Sequence, residues 1–469
     1  MTKTKISFGL LLAGAALIYG CSSKKDTATS NTNTNPTPSG GNTSTGGTPA
    51  TGGTPATGGN AVGGAATGGT GGSSGGMSAT GGAVGVAPDA TGHCPRRSLK
   101  HTDDMLCYCQ PASLTMCMDG CVDPQIDADH CGSCTTPCPA TAECNAGTCS
   151  ATPTVAVPAA AGCDSMRLAL DSAGTLYWTD KAHGTVMSQA AGGQPVMIAT
   201  AQMAPTVIKV GGTNVFWLNS TTNEIMKAPT AGGAATALVT VTSMMLDGGG
   251  TSDIGGFTLS ADGMTLYYST GKTIMQIPTA GGTATEVGHE DSGFPKGLAV
   301  DAMGTLMAYP ADINGDVDIM HIMAGTPAVC ASMDSTTATN SNCGRAGRSQ
   351  GSLNLEDIFI VNGVVYWANQ GQVLSSDAAN PPGVYDTVAS GSADASKVTA
   401  MTIQGTTVYF ADDTGLVLKA PLMTGAMTTK LARGQKDMTT LAGVSSIAAS
   451  DTMIYWASPT CEILSVPAQ

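Results

Sequence analysis

The sequence predicts an all-β protein whose largest domain is a β-propeller, a ring of small antiparallel sheets. The first observation is an aromatic pair that returns at intervals through the second part of the 469-residue chain. The pairs are Tyr177-Trp178, Phe216-Trp217, Tyr267-Tyr268, Tyr366-Trp367, Tyr409-Phe410 and Tyr455-Trp456. All four tryptophans of the protein occupy this slot. Repeats of this length indicate an array of equivalent β-units.

A degenerate copy of the slot, Leu306-Met307-Ala308-Tyr309, lies between the third and fourth pairs. With this copy included, successive units are separated by 39, 51, 40, 59, 43 and 46 residues. We therefore expect seven blades over residues 151–469. The alternative is six blades, if the Met307 unit does not form one.

The second observation is that turns divide each unit into four short apolar segments. In the first unit, Arg167–Leu170 and Thr175–Thr179 flank one turn, and Thr185–Ser188 and Pro195–Ile198 flank Gly192-Gly193. Four short strands joined by tight turns are the content of one propeller blade.

The last unit ends after Glu462–Val466, where a fourth strand would be needed. An additional apolar segment, Thr154–Val157, precedes the first unit. If this segment joins the last blade, the ring closes and leaves no open sheet edge. Cys163 and Cys461 would then lie on adjacent blades, so we predict a disulfide between them.

The third observation is a cysteine-rich module over residues 94–150. Its ten cysteines are Cys94, Cys107, Cys109, Cys117, Cys121, Cys131, Cys134, Cys138, Cys144 and Cys149. A segment this short with so few large apolar residues needs disulfides to hold it together. Zinc binding or redox chemistry at Cys131-x-x-Cys134 is the alternative. We predict that Cys330 and Cys343 join the base of a polar insertion, Ser332–Asn342.

The N-terminal residues are expected to direct export. Residues 1–21 have the lysines and the short apolar run of a signal peptide, and Ile18-Tyr19-Gly20-Cys21 resembles a bacterial lipoprotein lipobox, which implies a lipid on Cys21. An ordinary cleaved signal or an uncleaved anchor is the alternative. Residues 22–93 are rich in Thr, Gly, Ser and Pro, a composition typical of a disordered tether.

Two resemblances add to this interpretation. Tyr177-Trp178-Thr179-Asp180 matches the signature of the YWTD extracellular propellers of lipoprotein receptors, which implies that fold over 151–469. Asp127–Cys149 resembles the short cysteine-rich modules of secreted myxobacterial proteins, which implies a spacer or adhesion role. The first resemblance does not imply the receptors' ligands, because no binding residue of that family can be matched, and the second implies no chemistry.

Charge excludes one class of partner. The chain has 20 Lys and Arg against 34 Asp and Glu, a net charge of -14, so it would repel a nucleic-acid backbone. We expect no nucleic-acid partner, and contact with a membrane only through the lipid anchor.

Few residues are candidates for chemistry. Asp312, Asn314, Asp316 and Asp318 place oxygen atoms at alternate positions, as calcium loops do. The alternative is a plain hairpin at Asn314-Gly315. Apart from calcium, no cofactor is expected.

The histidines His183 and His289 lie in loops that reach a propeller face, where they could transfer protons. The alternative is that they are ordinary solvated loop residues. Asp412-Asp413 is predicted to form an exposed hairpin tip.

These features predict a surface-anchored lipoprotein of the outer membrane or cell surface, whose propeller binds protein or glycan ligands. The alternatives are an envelope hydrolase or lyase on the same scaffold, and a passive structural coat component. The sequence predicts no catalytic residue for the first of these alternatives.

Overall fold

The computed structural model is all-β over the residues that it describes. These are residues 98–100, 107–109, 113–118, 120–245, 251–290, 294–311, 316–322, 328–330, 345–350, 358–378, 385–433 and 443–468. Within these ranges, no helix has the length and apolar character needed to cross a bilayer. The signal peptide, Cys21 and the tether fall outside the described residues.

The cysteine-rich module consists of three two-stranded antiparallel sheets. Its strands are β1 (Ser98–Lys100), β2 (Cys107–Cys109), β3 (Thr115–Cys117), β4 (Gly120–Val122), β5 (Cys144–Asn145) and β6 (Thr148–Cys149). Four disulfides join its described residues: Cys109–Cys121, Cys117–Cys134, Cys131–Cys144 and Cys138–Cys149. Multiple disulfides are typical of exported proteins, and they indicate export here.

The rest of the chain forms a β-propeller. After β7 (Thr154–Val157), sheet 1 contains β8 (Met166–Leu170), β9 (Leu176–Asp180), β10 (Thr185–Gln189) and β11 (Val196–Ala199). Sheet 2 contains β12 (Pro205–Gly211), β13 (Asn214–Asn219), β14 (Glu224–Pro229) and β15 (Thr236–Thr240). Sheet 3 contains β16 (Ile254–Leu259), β17 (Thr265–Thr270), β18 (Thr273–Pro278) and β19 (Thr285–Glu290).

Sheet 4 and its insertion contain β20 (Phe294–Val300), β21 (Leu306–Ala311), β22 (Asp316–Ile322), β23 (Ala328–Cys330) and β24 (Arg345–Gln350). Sheet 5 contains β25 (Ile358–Val361), β26 (Val364–Asn369), β27 (Gln372–Asp377) and β28 (Asp386–Ser390). Sheet 6 contains β29 (Val398–Gln404), β30 (Thr407–Asp412), β31 (Val417–Pro421) and β32 (Thr429–Ala432). Sheet 7 contains β33 (Ser446–Ala449), β34 (Met453–Ala457) and β35 (Ile463–Pro467), with β7 as its fourth strand.

Each sheet runs antiparallel from its first strand at the centre of the ring to its fourth strand at the periphery. Contacts between first strands join most neighbouring sheets, including β8 with β12, β20 with both β16 and β25, and β33 with β8. The aromatic pairs lie on the second strands, and Trp217, Trp367 and Trp456 have no exposed surface. They are buried because each sheet is covered on both faces by its neighbours.

In every sheet, the pairing between the third and fourth strands shifts register by one residue. There the fourth strand carries one extra residue opposite a Val or Ile of the third strand. The extra residues are Ile198, Leu238, Val287, Ala346, Val388, Leu431 and Ala156. A β-bulge of this kind increases the local twist of the strand pair. Because β7 carries it too, β7 has the geometry of a true fourth strand.

The count of seven equivalent blades requires correction. Six sheets carry the aromatic pair, and these are the six blades of the regular pattern. The Met307 unit forms sheet 4, a divergent four-stranded sheet placed between sheets 3 and 5. Its insertion contributes β23, which pairs in parallel with β19 of sheet 3.

The Met307 unit lacks a hydrogen bond that is present in sheet 1. In sheet 1, the Oδ2 of Asp171 accepts a hydrogen bond from the hydroxyl of Tyr177 at 3.2 Å. In sheet 4, the equivalent Oδ2 of Asp301 is buried and has no hydrogen-bond partner in the described part of the chain. The sequence has Met307 where sheet 1 has Tyr177, so the hydroxyl is missing.

The ring closes as the sequence predicted. Strand β7 pairs antiparallel with β35, and Cys163 and Cys461 form a disulfide with their Cα atoms 6.1 Å apart. At the centre of the ring, the Oγ of Ser446 accepts a hydrogen bond from the backbone N–H of Leu168 at 3.0 Å. Closure therefore rests on strand pairing, a covalent link and contacts between the first strands.

The cysteine-rich module is docked on the propeller. Asn145 donates to the carbonyl of Lys430 at 2.7 Å and accepts from its backbone N–H at 3.0 Å. Ser150 Oγ donates to the carbonyl of Leu431 at 3.0 Å, and Lys430 pairs with the buried Glu143 at 3.3 Å. These bonds cover the outer edge of β32, which would otherwise be an unpaired sheet edge.

We predict that replacing both Cys163 and Cys461 with Ser destabilises the propeller by about 2–4 kcal/mol, because the disulfide restricts the unfolded chain. Thermal unfolding of the full-length chain would measure this. The control is the double replacement of Cys138 and Cys149, which we expect to disorder the module while leaving the main unfolding transition largely in place. A propeller transition unchanged by the Cys163 and Cys461 replacement would contradict a role for this disulfide in closure.

Candidate functional site

The propeller has two faces, which we define by the connections that they carry. Face A carries the turns between second and third strands and the connections from one sheet to the next. Face B carries the turns between first and second strands and between third and fourth strands. The first strands enclose the central channel between the two faces.

Face A of sheet 1 contains the predicted candidate His183. Its Nδ1 lies 2.6 Å from the Oδ2 of Asp180, and its backbone N–H donates to Asp180 Oδ1 at 3.1 Å. The hydrogen bond and charge of the Asp180 carboxylate raise the pKa of His183, and the backbone of Ala161 adds a smaller contribution. The imidazole therefore links the β9–β10 turn to the segment before Cys163.

In sheet 2, a buried polar side chain also lies at the face A end of the second strand and also anchors a neighbouring segment. In sheet 2, the Oε1 of Gln202 accepts hydrogen bonds from Trp217 Nε1 at 3.0 Å and from Asn219 Nδ2 at 3.1 Å. Gln202 lies between sheets 1 and 2, so the bonds fix one sheet against the next. The hydrogen bonds of Asp180, Gln202 and Asn219 therefore stabilise the loops of face A.

The prediction that Asp412-Asp413 is an exposed hairpin tip is wrong for Asp412. Asp412 has no exposed surface. Its Oδ2 accepts from the backbone N–H of Ser392 at 2.8 Å, and its Oδ1 accepts from Thr414 Oγ1 at 2.6 Å. Asp413 Oδ1 accepts from the backbone N–H of Ser396 at 2.9 Å. Both carboxylates hold the connection between sheets 5 and 6, a role that local sequence did not indicate.

Face B carries an exposed apolar surface that the sequence could not locate. We call it the apolar arc, and its members are Met264, Met303, Tyr385, Met423 and Met427, which are 64%, 80%, 44%, 61% and 89% exposed. They belong to the turns of sheets 3, 4, 5 and 6, which are consecutive in the ring. The corresponding described turns of sheets 1, 2 and 7 contain mainly glycine and small or polar residues. In sheet 1, Val196 and Met197 at the start of β11 are also exposed, at 57% and 55%.

The central channel contains a cavity of about 190 Å³. Its walls come from the first strands of sheets 1, 2, 5, 6 and 7. Polar groups are supplied by Arg167, Lys209, Thr402 and Ser446, and Phe359 is one of the apolar groups. The cavity can therefore take a small ligand with both polar and apolar parts.

Several predicted site residues lie outside the described part of the chain, namely Asp312, Asn314, Cys94 and Cys343. The side chains of Cys107, Asp316, Asp318, His289 and Cys330 are likewise not described. Strands β21 and β22 are antiparallel neighbours, so the proposed calcium loop connects two paired strands. Calcium binding there stays a prediction.

Among the described residues, the sulfurs of Cys131, Cys138 and Cys149 lie close enough together to hold a metal ion. All three sulfurs belong to disulfides, Cys131 with Cys144 and Cys138 with Cys149. Cys134 is bonded to Cys117 instead of sharing a metal with Cys131. A thiolate is the form that binds zinc, so this cluster belongs to the disulfide network.

Comparison with known proteins supports the fold. No protein-family model and no curated protein matches the sequence. A solved streptogramin B lyase is 13% identical with a TM-score of 0.50, covering 68% of this chain and 98% of that one. A catalytically inactive virginiamycin B lyase from Staphylococcus aureus, solved with quinupristin, is 12% identical with a TM-score of 0.49, covering 68% and 100%.

A chain of a nidogen–laminin complex, a YWTD-repeat propeller, is 16% identical with a TM-score of 0.35, covering 61% of this chain and 84% of that one. At 13% identity, the similarity to the streptogramin B lyase shows the propeller fold alone.

We predict a pH-dependent contribution of His183 to stability. Because its pKa in the folded state is raised above the ordinary value of 6.5, the contribution is fully present below pH 6.5 and disappears as the pH rises through the raised pKa. Melting temperatures of the protein and of His183→Gln, measured between pH 5.5 and 8.5, should differ most at the acidic end. Asp180→Asn should abolish the pH-dependent part, and a difference that is constant with pH would contradict the ion pair.

Proposed function

We propose that this protein is a bacterial surface lipoprotein whose propeller binds a protein ligand through the apolar arc on face B. The observation that carries the proposal is the concentration of exposed Met and Tyr side chains on four consecutive sheets. Exposed apolar side chains concentrated on one face of a domain are typical of interaction sites.

The chemistry of the apolar arc favours protein over glycan as the ligand. Four of its five members are methionines, whose flexible, polarisable side chains adapt to apolar surfaces of a partner. A glycan site generally relies on aromatic rings and many hydrogen-bonding groups, and the arc has one aromatic ring, that of Tyr385.

The proposed anchor fits this arrangement. A lipid on Cys21 followed by about 70 residues of Gly-rich coil would give a root-mean-square reach on the order of 45 Å. The propeller could then present face B to partners away from the lipid surface. The described disulfides require an oxidising compartment, which is consistent with the outer surface.

Replacement of Met423 and Met427 by Glu should weaken ligand binding more than tenfold, because each carboxylate would have to lose water in the interface. The measurement is concentration-dependent cosedimentation of the full-length Cys21→Ser chain with envelope fractions of the producing bacterium. The matched control replaces Met244 and Met245, which are also exposed but lie on face A, with Glu. Equal loss in both variants, or no loss in the face B variant, would contradict the assignment of the apolar arc.

The lipid anchor has its own test. Cells producing a Cys21→Ala variant should release the protein into the soluble fraction, because the variant cannot be acylated at that position. Fractionation and immunoblotting would measure the distribution. If the variant stayed as membrane-bound as the original protein, the lipid anchor would be wrong.

A further inference from the structure

Carboxylates lie beside the methionines of the apolar arc in sheets 3 and 4. Asp262 lies two residues before Met264 in the β16–β17 turn. Asp301 lies two residues before Met303 in the β20–β21 turn. The first strands of these two sheets contact each other, so the two turns are neighbours on face B. A partner that covers them therefore meets apolar and negatively charged groups side by side.

The same combination occurs in sheet 5, where exposed Tyr385 directly precedes exposed Asp386. Within the described residues, the turns of face B and the ends of the strands beside them contain six aspartates. These are Asp171, Asp262, Asp301, Asp377, Asp386 and Asp451. The described turns of this face contain no lysine or arginine. Face B therefore combines exposed apolar side chains with negative charge.

Two lysines on strands that lead to this face already bind protein groups. Lys227 Nζ donates to the carbonyls of Thr279 and Ala280 at 2.8 and 3.3 Å. Lys430 Nζ lies 3.3 Å from Oε2 of Glu143 in the cysteine-rich module. Neither interaction neutralises one of the six aspartates.

The carboxylate of Asp262 shows how a turn prepares its charge for a partner. Its Oδ1 accepts from Ser260 Oγ at 2.6 Å and from the backbone N–H of Met264 at 2.9 Å. These hydrogen bonds, that of Ser260 first, lower the pKa of Asp262 and keep the exposed carboxylate ionised at neutral pH. Because both bonds are made by Oδ1, Oδ2 is left available to a donor.

The charge of face B disfavours two other kinds of occupant. The aspartates would repel an anionic lipid surface, and a second copy of this chain would bring a second acidic face. A ligand with apolar side chains alone would remove water from the aspartates without supplying a counter-charge. A segment that carries both apolar and cationic side chains complements both properties of the face.

We infer that the protein ligand of the apolar arc presents a basic amphipathic segment. Its apolar side chains cover the methionines, and its lysine or arginine side chains pair with Asp262 and Asp386. The apolar contacts supply most of the affinity, whereas the charges orient the segment and speed its association. This inference rests on the proposed function, since it names the chemistry of the ligand at the same surface.

The test uses a fluorescently labelled peptide of leucine and lysine, about 14 residues long, with all leucines on one face of the helix. Fluorescence anisotropy would measure its binding to the full-length Cys21→Ser chain. A peptide with glutamate in place of lysine should not bind. A scrambled leucine and lysine peptide without an apolar face should bind about tenfold more weakly or worse. Raising the NaCl concentration from about 50 to 300 mM should weaken binding severalfold.

Two double variants separate the contributions of charge and apolar contact. Asp262→Asn with Asp386→Asn should weaken binding of the leucine and lysine peptide about threefold to tenfold, the effect of losing two exposed ion pairs. Asparagine keeps an acceptor oxygen, so the hydrogen bonds within the β16–β17 turn can persist. Met264→Ser with Met303→Ser should weaken binding about tenfold or more, because two apolar contacts are lost.

The matched control is Asp253→Asn with Asp394→Asn, which removes the same charge from exposed residues in connections on face A. This variant should bind the leucine and lysine peptide normally, and melting temperatures establish that every variant is folded. Absence of peptide binding, equal binding of the glutamate peptide, or equal loss in the face A and face B aspartate variants would overturn the inference.

Failure of this inference can be distinguished from failure of the proposed function. If the leucine and lysine peptide does not bind while Met423→Glu with Met427→Glu still weakens cosedimentation with envelope fractions, the apolar arc stands and the basic character of its ligand is wrong. If the peptide does not bind and cosedimentation is also unaffected, the proposed function itself is contradicted.

Discussion

The structure depends on one constraint: a propeller sheet buries both of its faces only when it has a neighbour on each side. Trp217, Trp367 and Trp456 are fully buried for this reason, although each lies on a strand only six residues long or shorter. An open ring would expose the faces of its first and last sheets. The chain meets the constraint by placing β7 beside β35 and by joining Cys163 to Cys461.

Much of this fold could be predicted because its signals are local and repeated. The aromatic slot identifies the second strand of each regular sheet, and a spare strand with two distant cysteines indicates closure. A sequence period cannot show which side chains meet across the ring. Asp412 is buried against the connection from sheet 5, where it accepts a hydrogen bond from Ser392. The docking of Asn145 on β32 joins residues that are 285 positions apart in the chain.

The candidate binding surfaces were beyond sequence reasoning for the same geometric reason. Met303 and Met427 are more than a hundred residues apart, and each alone is an unremarkable turn residue. Only the ring order places them on one face. The predicted histidine His183, in contrast, is occupied in holding face A together.

The proposed binding surface requires the closed ring, since the order of the sheets on face B exists only when the ring is closed. Hydrogen exchange of the oxidised full-length chain, read by mass spectrometry, tests closure most directly. The account predicts that the paired backbone amides of Thr154–Val157 exchange as slowly as those of other fourth strands, such as Val196–Ala199. Rapid exchange of Thr154–Val157, at the rate of an unstructured segment, would contradict it.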